Sequence, residues 1–206
     1  MNPKFRFLAV IASAGAISLA APAITVAAPT DATDHGITSV TLAPSFLSAL
    51  ESLGVKPGAV APGRMVQRHG NTVAAFPITT GAIDLGAVKG EIDHAGGLSL
   101  SAGTNRVELT GFAIEVYPKA APVLTGLVTV DGSFVGRSPL FDLSLANAAL
   151  SKHEERLAIQ NVAIRLDPAA AAALSNVFHT SVPAGLSIGT ATVRTSLDDG
   201  DEGWSE

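Results

Sequence analysis

LSAGTNRVELTGFAIEVYP (residues 100–118) and LSKHEERLAIQNVAIRLDP (residues 150–168) match at a constant offset of fifty. Both open on Leu-Ser, run through five polar or small residues, and then alternate apolar and other residues up to a proline. Alternation of period two turns one side of an extended chain toward a core and the other toward water, so each stretch predicts paired strands with one buried face. The alternation breaks once in each stretch. Apolar residues stand on odd positions at Val107 and Leu109 and on even positions from Phe112 through Ile114 to Val116; the same change from odd to even falls between Ile159 and Val162. One extra residue in a strand does this, which predicts a β-bulge or a break at Thr110-Gly111 and at Gln160-Asn161. A repeated change of parity is much harder to obtain by chance than repeated strands, and it marks two related hairpin units.

The closing proline carries the pattern outward. Val40-Thr-Leu42-Ala-Pro44, Val116-Tyr-Pro118 and Leu166-Asp-Pro168 each place proline two residues after an apolar position. SFLSALESLGV follows Pro44 and AAAAALSNVF follows Pro168, with Ala49-Leu50 and Ala173-Leu174 at the same distance. Proline suits the first helical position, where its missing N–H would be unpaired anyway. Two short helices are therefore predicted, the second with Asp167 as its N-cap. Gly54 and Pro57 stop the first, and Pro183 and Gly185 follow the second. After Pro118 no helical pattern appears. The fold class read from these patterns is all-β, β-sandwich-like, with two short α-helices.

The ends of the chain read differently. Lys4 and Arg6 precede the apolar run FLAVIASAGAISLA (Phe7 to Ala20), which is shorter than the ~20 residues of a membrane span. Small residues follow, with Ala21-Pro22-Ala23 in an A-x-A pattern and a second cleavage option after Ala27. This is the pattern of a signal peptide over residues 1–27, and it implies export, to the extracellular space or the cell envelope. Without Lys4 and Arg6 the chain holds 11 basic against 18 acidic residues, and five of the acids lie in the last nine positions. Residues 198–206 are thus expected to form an acidic mobile tail, which also carries Trp204. The lack of cysteine excludes a disulfide scaffold and a thiolate metal site. A net charge of −5 with no basic stripe argues against nucleic-acid binding. No later stretch is apolar for long enough to span a membrane as a helix.

Candidate chemistry is sparse. Gly185-Leu-Ser187-Ile-Gly189 matches the G-x-S-x-G of a nucleophile elbow, which needs a strand entering the turn and a helix leaving it. Here the predicted helix precedes and a strand follows, and no histidine comes after Ser187, so a secreted serine hydrolase is the weakest reading. His35, His69, His94, His153 and His179 show no metal-ligand spacing, and no metal site is expected. His94 lies beside a turn, His179 near a helix end where the last carbonyls attract it, and His153 in a polar hairpin tip. Tyr117, the lone tyrosine, precedes Pro118 at a strand end.

GEIDHAGGLSLSAGTNRVELTGFAIEV (90–116), FDLSL (141–145) and LDPAAAAALSNVFHTSVPAGLSIGTATV (166–193) together resemble the HtaA-type domain of bacterial surface proteins that capture haem. In that family a Gly-apolar-His-Gly-Leu segment precedes paired strands, and an Ala-rich helix with aromatics ends the unit. The resemblance spans about Ile37 to Val193 and implies an HtaA-like β domain over residues 33–197. The family opens with a tryptophan-bearing strand leading into Ser-Phe and, three residues later, a tyrosine that ligates the haem iron. Ser45-Phe46 is present here, but that tyrosine position falls on Ala49, and the tryptophan is missing. Alanine cannot replace a phenolate ligand. The resemblance therefore implies an exported, non-enzymatic binding domain with no resident cofactor, whose partner is a protein or an apolar small molecule. The alternative is haem bound through a substituted ligand. The residues proposed to contact the ligand are Tyr117, His94, His179 and Phe46. The helix after Pro44 is further expected to bring Ala49 to the mouth of an apolar pocket.

Overall fold

The computed structural model describes residues 31–33 and 35–197; the expected signal peptide and the expected acidic tail with Trp204 lie outside the described residues. The chain runs through β1 (Asp31–Thr33), β2 (Gly36–Leu42), α1 (Pro44–Ser52), β3 (Lys56–Val60), β4 (Arg64–Arg68) and β5 (Asn71–Asp84). It continues through β6 (Lys89–His94), β7 (Gly97–Ala102), β8 (Asn105–Val116), β9 (Val123–Val130) and β10 (Ser133–Ser144). The last elements are β11 (Ala149–His153), β12 (Arg156–Leu166), α2 (Pro168–Phe178) and β13 (Ser187–Ser196).

Eight of these strands close on themselves. Going round, β5 pairs β2, then β13, β12, β10, β9, β8 and β6, and β6 pairs back onto β5; every pairing is antiparallel. The fold is mostly β with two short helices, as expected, but it is a closed barrel and not a sandwich. Alternation reports which face of a strand is buried, and both architectures bury one face. What separates them is edge pairing, and here the short strand β6 closes the seam: Asp84↔Lys89 on one side, Gly90↔Val116 on the other. The remaining strands extend the ring's edges, β1 and β4 on β5, β7 on β8, β3 on β7, and β11 on β12. Outward positions such as Thr41, Arg165, Thr190 and Arg194 are exposed and polar, the reverse of the apolar outer band of a membrane barrel.

Both predicted bulges are present. The β8–β9 register shifts between Thr110 and Ala113, and the β12–β13 register shifts between Ile159 and Val162. Gly111 (φ 55°) and Asn161 (φ 61°) take the left-handed conformation that each extra residue needs; glycine adopts it freely, and asparagine tolerates it better than most residues. The bulges keep Val107, Leu109 and Phe112 of β8 all buried, along with Leu157, Val162 and Ile164 of β12. The internal echo is tighter in these second strands than in the first ones. Val107 pairs Leu100, but its counterpart Leu157 pairs Lys152, two residues past Leu150. Leu100 is 7% exposed and Leu150 is 56% exposed, so the two matched leucines are not equivalent.

Both prolines start helices. On α1, Phe46 and Leu50 are four apart and turn the same face into the core. Asp167 caps α2, its Oδ1 accepting from the N–H groups of Ala169 (2.7 Å) and Ala170 (3.0 Å). His179 ends that helix in the left-handed conformation, its N–H donating to the Ser175 carbonyl. Inside the barrel Phe76 and Phe112 meet edge to face with centroids 5.1 Å apart. A second apolar cluster gathers Ile78, Ile83, Ile92, Leu157, Val193 and Leu197.

Candidate functional site

The appended strands and the two helices create a chamber beside the barrel. β3 and β7 widen the sheet beyond β8, and α1 and α2 cover the apolar face so extended. Between them lies a cavity of about 240 Å³. Phe46, Ala49 and Leu50 of α1 line it from one helix and Ala173, Leu174 and Val177 of α2 from the other. Ala49 thus lines an apolar pocket, as the HtaA resemblance implies. Of the residues that line the chamber, Ser138 alone has a polar side chain, and none is ionisable. Such a surface can exclude water and hold an apolar body, but it offers no iron ligand.

The barrel interior holds a second cavity of about 290 Å³. Leu98, Phe141 and Ile188 line both chambers and form the wall between them. His94, at the end of β6, lies in this second cavity. Its Nδ1 is 3.2 Å from the Phe112 carbonyl, which can only accept, so Nδ1 carries the proton. Nε2 is then the acceptor for the Thr38 hydroxyl at 2.7 Å. Burial lowers the imidazole's proton affinity, against the opposing pull of the Phe112 carbonyl and Asp93. The ring is therefore neutral at neutral pH, with both nitrogens engaged.

Tyr117 is 55% exposed and lines neither cavity; its hydroxyl donates to Glu115 Oε2 at 3.0 Å. That hydrogen bond, and the carboxylate charge behind it, raise the phenol's pKa and keep it protonated. His179 is exposed at the end of α2 and lines neither cavity. Phe46 lines the helix-covered chamber. The four residues thus do not converge on one place. Ser187 is exposed at the start of β13, with a turn before it and a strand after, the reverse of a nucleophile elbow. Among the described residues no helix is long and apolar enough to cross a membrane.

Sequence reasoning did not single out Asp84 and Lys89. They are register partners at the ends of a four-residue turn, and both line the barrel cavity. The turn residues looked like ordinary loop chemistry, and only strand pairing shows which end of the barrel they border.

A small antiparallel barrel with a packed wall and internal space belongs to the class that can enclose a ligand. Within that class the fold is of HtaA type. The C-terminal domain of HtaA from Corynebacterium glutamicum superposes with a TM-score of 0.59 at 13% identity, over 82% of this chain and 99% of that domain. Heme binding protein HtaB from the same organism gives 0.55 at 9% identity, over 82% and 96%. The N-terminal domain of HtaA gives 0.54 at 11% identity, over 81% and 98%. No family model and no curated protein matches the sequence. At these identities the likeness establishes the fold.

Proposed function

We propose that this chain is an exported, non-enzymatic binding domain of HtaA-like build that takes an apolar small molecule in the chamber under α1 and α2. One observation carries the reading: the chamber is lined almost entirely by aliphatic and phenylalanine side chains, with alanine at position 49 and no ionisable group. Ligand sites are concave and mostly apolar, with a few polar groups that set specificity. Without a phenolate at position 49, the recognition left to this chamber is shape and burial. Export rests on the leader pattern from Lys4 to Ala27.

The test combines two titrations of the purified protein. Haemin should leave the Soret band that of free haemin. An environment-sensitive apolar dye should brighten on binding and lose most of that gain in Ala170→Trp, at a half-buried position of α2 that lines the chamber. A Soret shift that disappears in His94→Ala, Tyr117→Phe or His179→Ala would overturn this reading in favour of haem held by a substituted ligand.

A further inference from the structure

The barrel cavity differs from the helix-covered chamber in the chemistry of its mouth. Val88 is 59% exposed, Leu150 is 56% exposed and the Lys89 side chain is 47% exposed, yet all three line the cavity. A residue that faces both solvent and cavity stands where the two meet, so these three mark the opening. Val88 reaches it from a left-handed backbone (φ 51°), a conformation that a β-branched residue rarely takes. Asp84 holds that turn in place, its Oδ1 accepting from the Ala87 N–H at 2.8 Å. The Asp84 side chain is 3% exposed. Lys89 Nζ lies 3.5 Å from Asp84 Oδ2, longer than the ~2.7–2.9 Å of a strong charge-assisted hydrogen bond. Asp84 Oδ2 is buried with no hydrogen bond, so Lys89 is its counter-charge, and the exposed side of the ammonium still offers donors toward solvent.

Deeper in, the wall is aliphatic and aromatic. Thr38 and His94 are the other polar residues that line it, and they bond to each other. A ligand suited to this cavity has an apolar body that asks for no hydrogen bonds inside and one anionic group that stays at the rim. We infer that the barrel interior binds a single-chain fatty acid, with its alkyl tail between Val40, Phe76, Phe112 and Ile164 and its carboxylate on Lys89. Exposed Val88 and Leu150 flank the tail where it enters. This site is separate from the helix-covered chamber and stands or falls without it.

The test is calorimetric titration of the purified protein with a homologous series of saturated fatty acids and the matching alcohols. Affinity should tighten about fourfold per added methylene, the factor for burying one such group (~0.8 kcal/mol), until the chain outgrows the cavity. Lys89→Ala should weaken the acids about fivefold, the upper range for a partly exposed charge pair (~1 kcal/mol), and leave the alcohols unchanged. Lys89→Arg should restore the acids. Ala148→Trp, at a half-buried loop position lining the cavity, should weaken acids and alcohols alike while a thermal melt confirms that the variant folds. Affinity independent of chain length would overturn the inference, as would equal loss of acid and alcohol in Lys89→Ala. Binding untouched by a folded Ala148→Trp would place the ligand outside the barrel and overturn it too.

Discussion

His94 makes the stability of this fold depend on pH in a window where few groups titrate. In the folded chain its Nδ1–H donates to the Phe112 carbonyl and its Nε2 accepts from Thr38, and burial lowers its pKa below the ordinary 6.5. In the unfolded chain it titrates near that ordinary value. Below it the unfolded state binds a proton that the folded state refuses, so acid favours unfolding. The stability that neutral His94 confers is fully present above about pH 6.5 and falls as pH drops toward the lowered native value. The slope approaches ~1.4 kcal/mol per pH unit for one proton. For a chain of this size ~1 kcal/mol moves the melting midpoint by ~2–4 °C, so each unit of acidification in the window should lower it by several degrees. The lowered carboxylate of Asp84 enters only at more acid pH, because it titrates below 3.8. Melting curves across this range, for the parent and for His94→Gln, separate the histidine from any general acid effect. The variant should be less stable at neutral pH, where it loses the fitted imidazole, and its midpoint should depend less on pH than the parent's. Parallel pH profiles for the two proteins would refute a neutral buried imidazole.

Three further outcomes follow from named contacts. Asp167→Ala removes the acceptor for two amides at the start of α2 and should cost ~1 kcal/mol, read as a lower denaturant midpoint with unchanged slope; an unmoved midpoint would mean that another group takes those amides. Gly111→Val forces a β-branched residue into the left-handed bulge of β8 and should cost ~1–3 kcal/mol, whereas Asn161→Gly in the matching bulge should cost far less. Ala49→Tyr places a phenol in the helix-covered chamber: it should introduce a haemin Soret shift, against overpacking of ~1–3 kcal/mol. A folded Ala49→Tyr protein with an unshifted spectrum would show that the chamber does not admit haem.

Much of the fold was legible because its signals are local. The parity switches at Gly111 and Asn161 marked both bulges, since a pleated strand carries its apolar residues on one face and one extra residue exchanges the faces. Pro44, Pro168 and Asp167 marked helix starts because the first helical turn imposes its own hydrogen-bonding needs. Closure of the barrel was not legible. It depends on β6, a strand of six residues whose two edges meet β5 and β8, and one strand's alternation carries no record of its neighbours. The slip between Leu100 and Leu150 was hidden for the same reason, because equal sequence offset does not require equal register.

The candidate sites divide along the same line between local and non-local information. Helical spacing, which is local, sets Ala49 beside Phe46 and Leu50, and it was the HtaA resemblance that implied a pocket there. The burial of His94 could not be read, because its partners Thr38 and Phe112 come from strands 56 and 18 residues away. The same division bears on the fold as a whole, which matches HtaA domains at only 9–13% identity. The scaffold needs only apolar alternation, two residues that accept left-handed bulges and two helix starts, and many sequences meet those conditions. A binding site is more exacting, since it asks for particular side chains at particular positions. At position 49 the small side chain of alanine stands beside Phe46 and Leu50, which α1 turns into the core. The chamber that it lines has apolar walls and no ionisable side chain, so shape and burial are what it can read in a ligand.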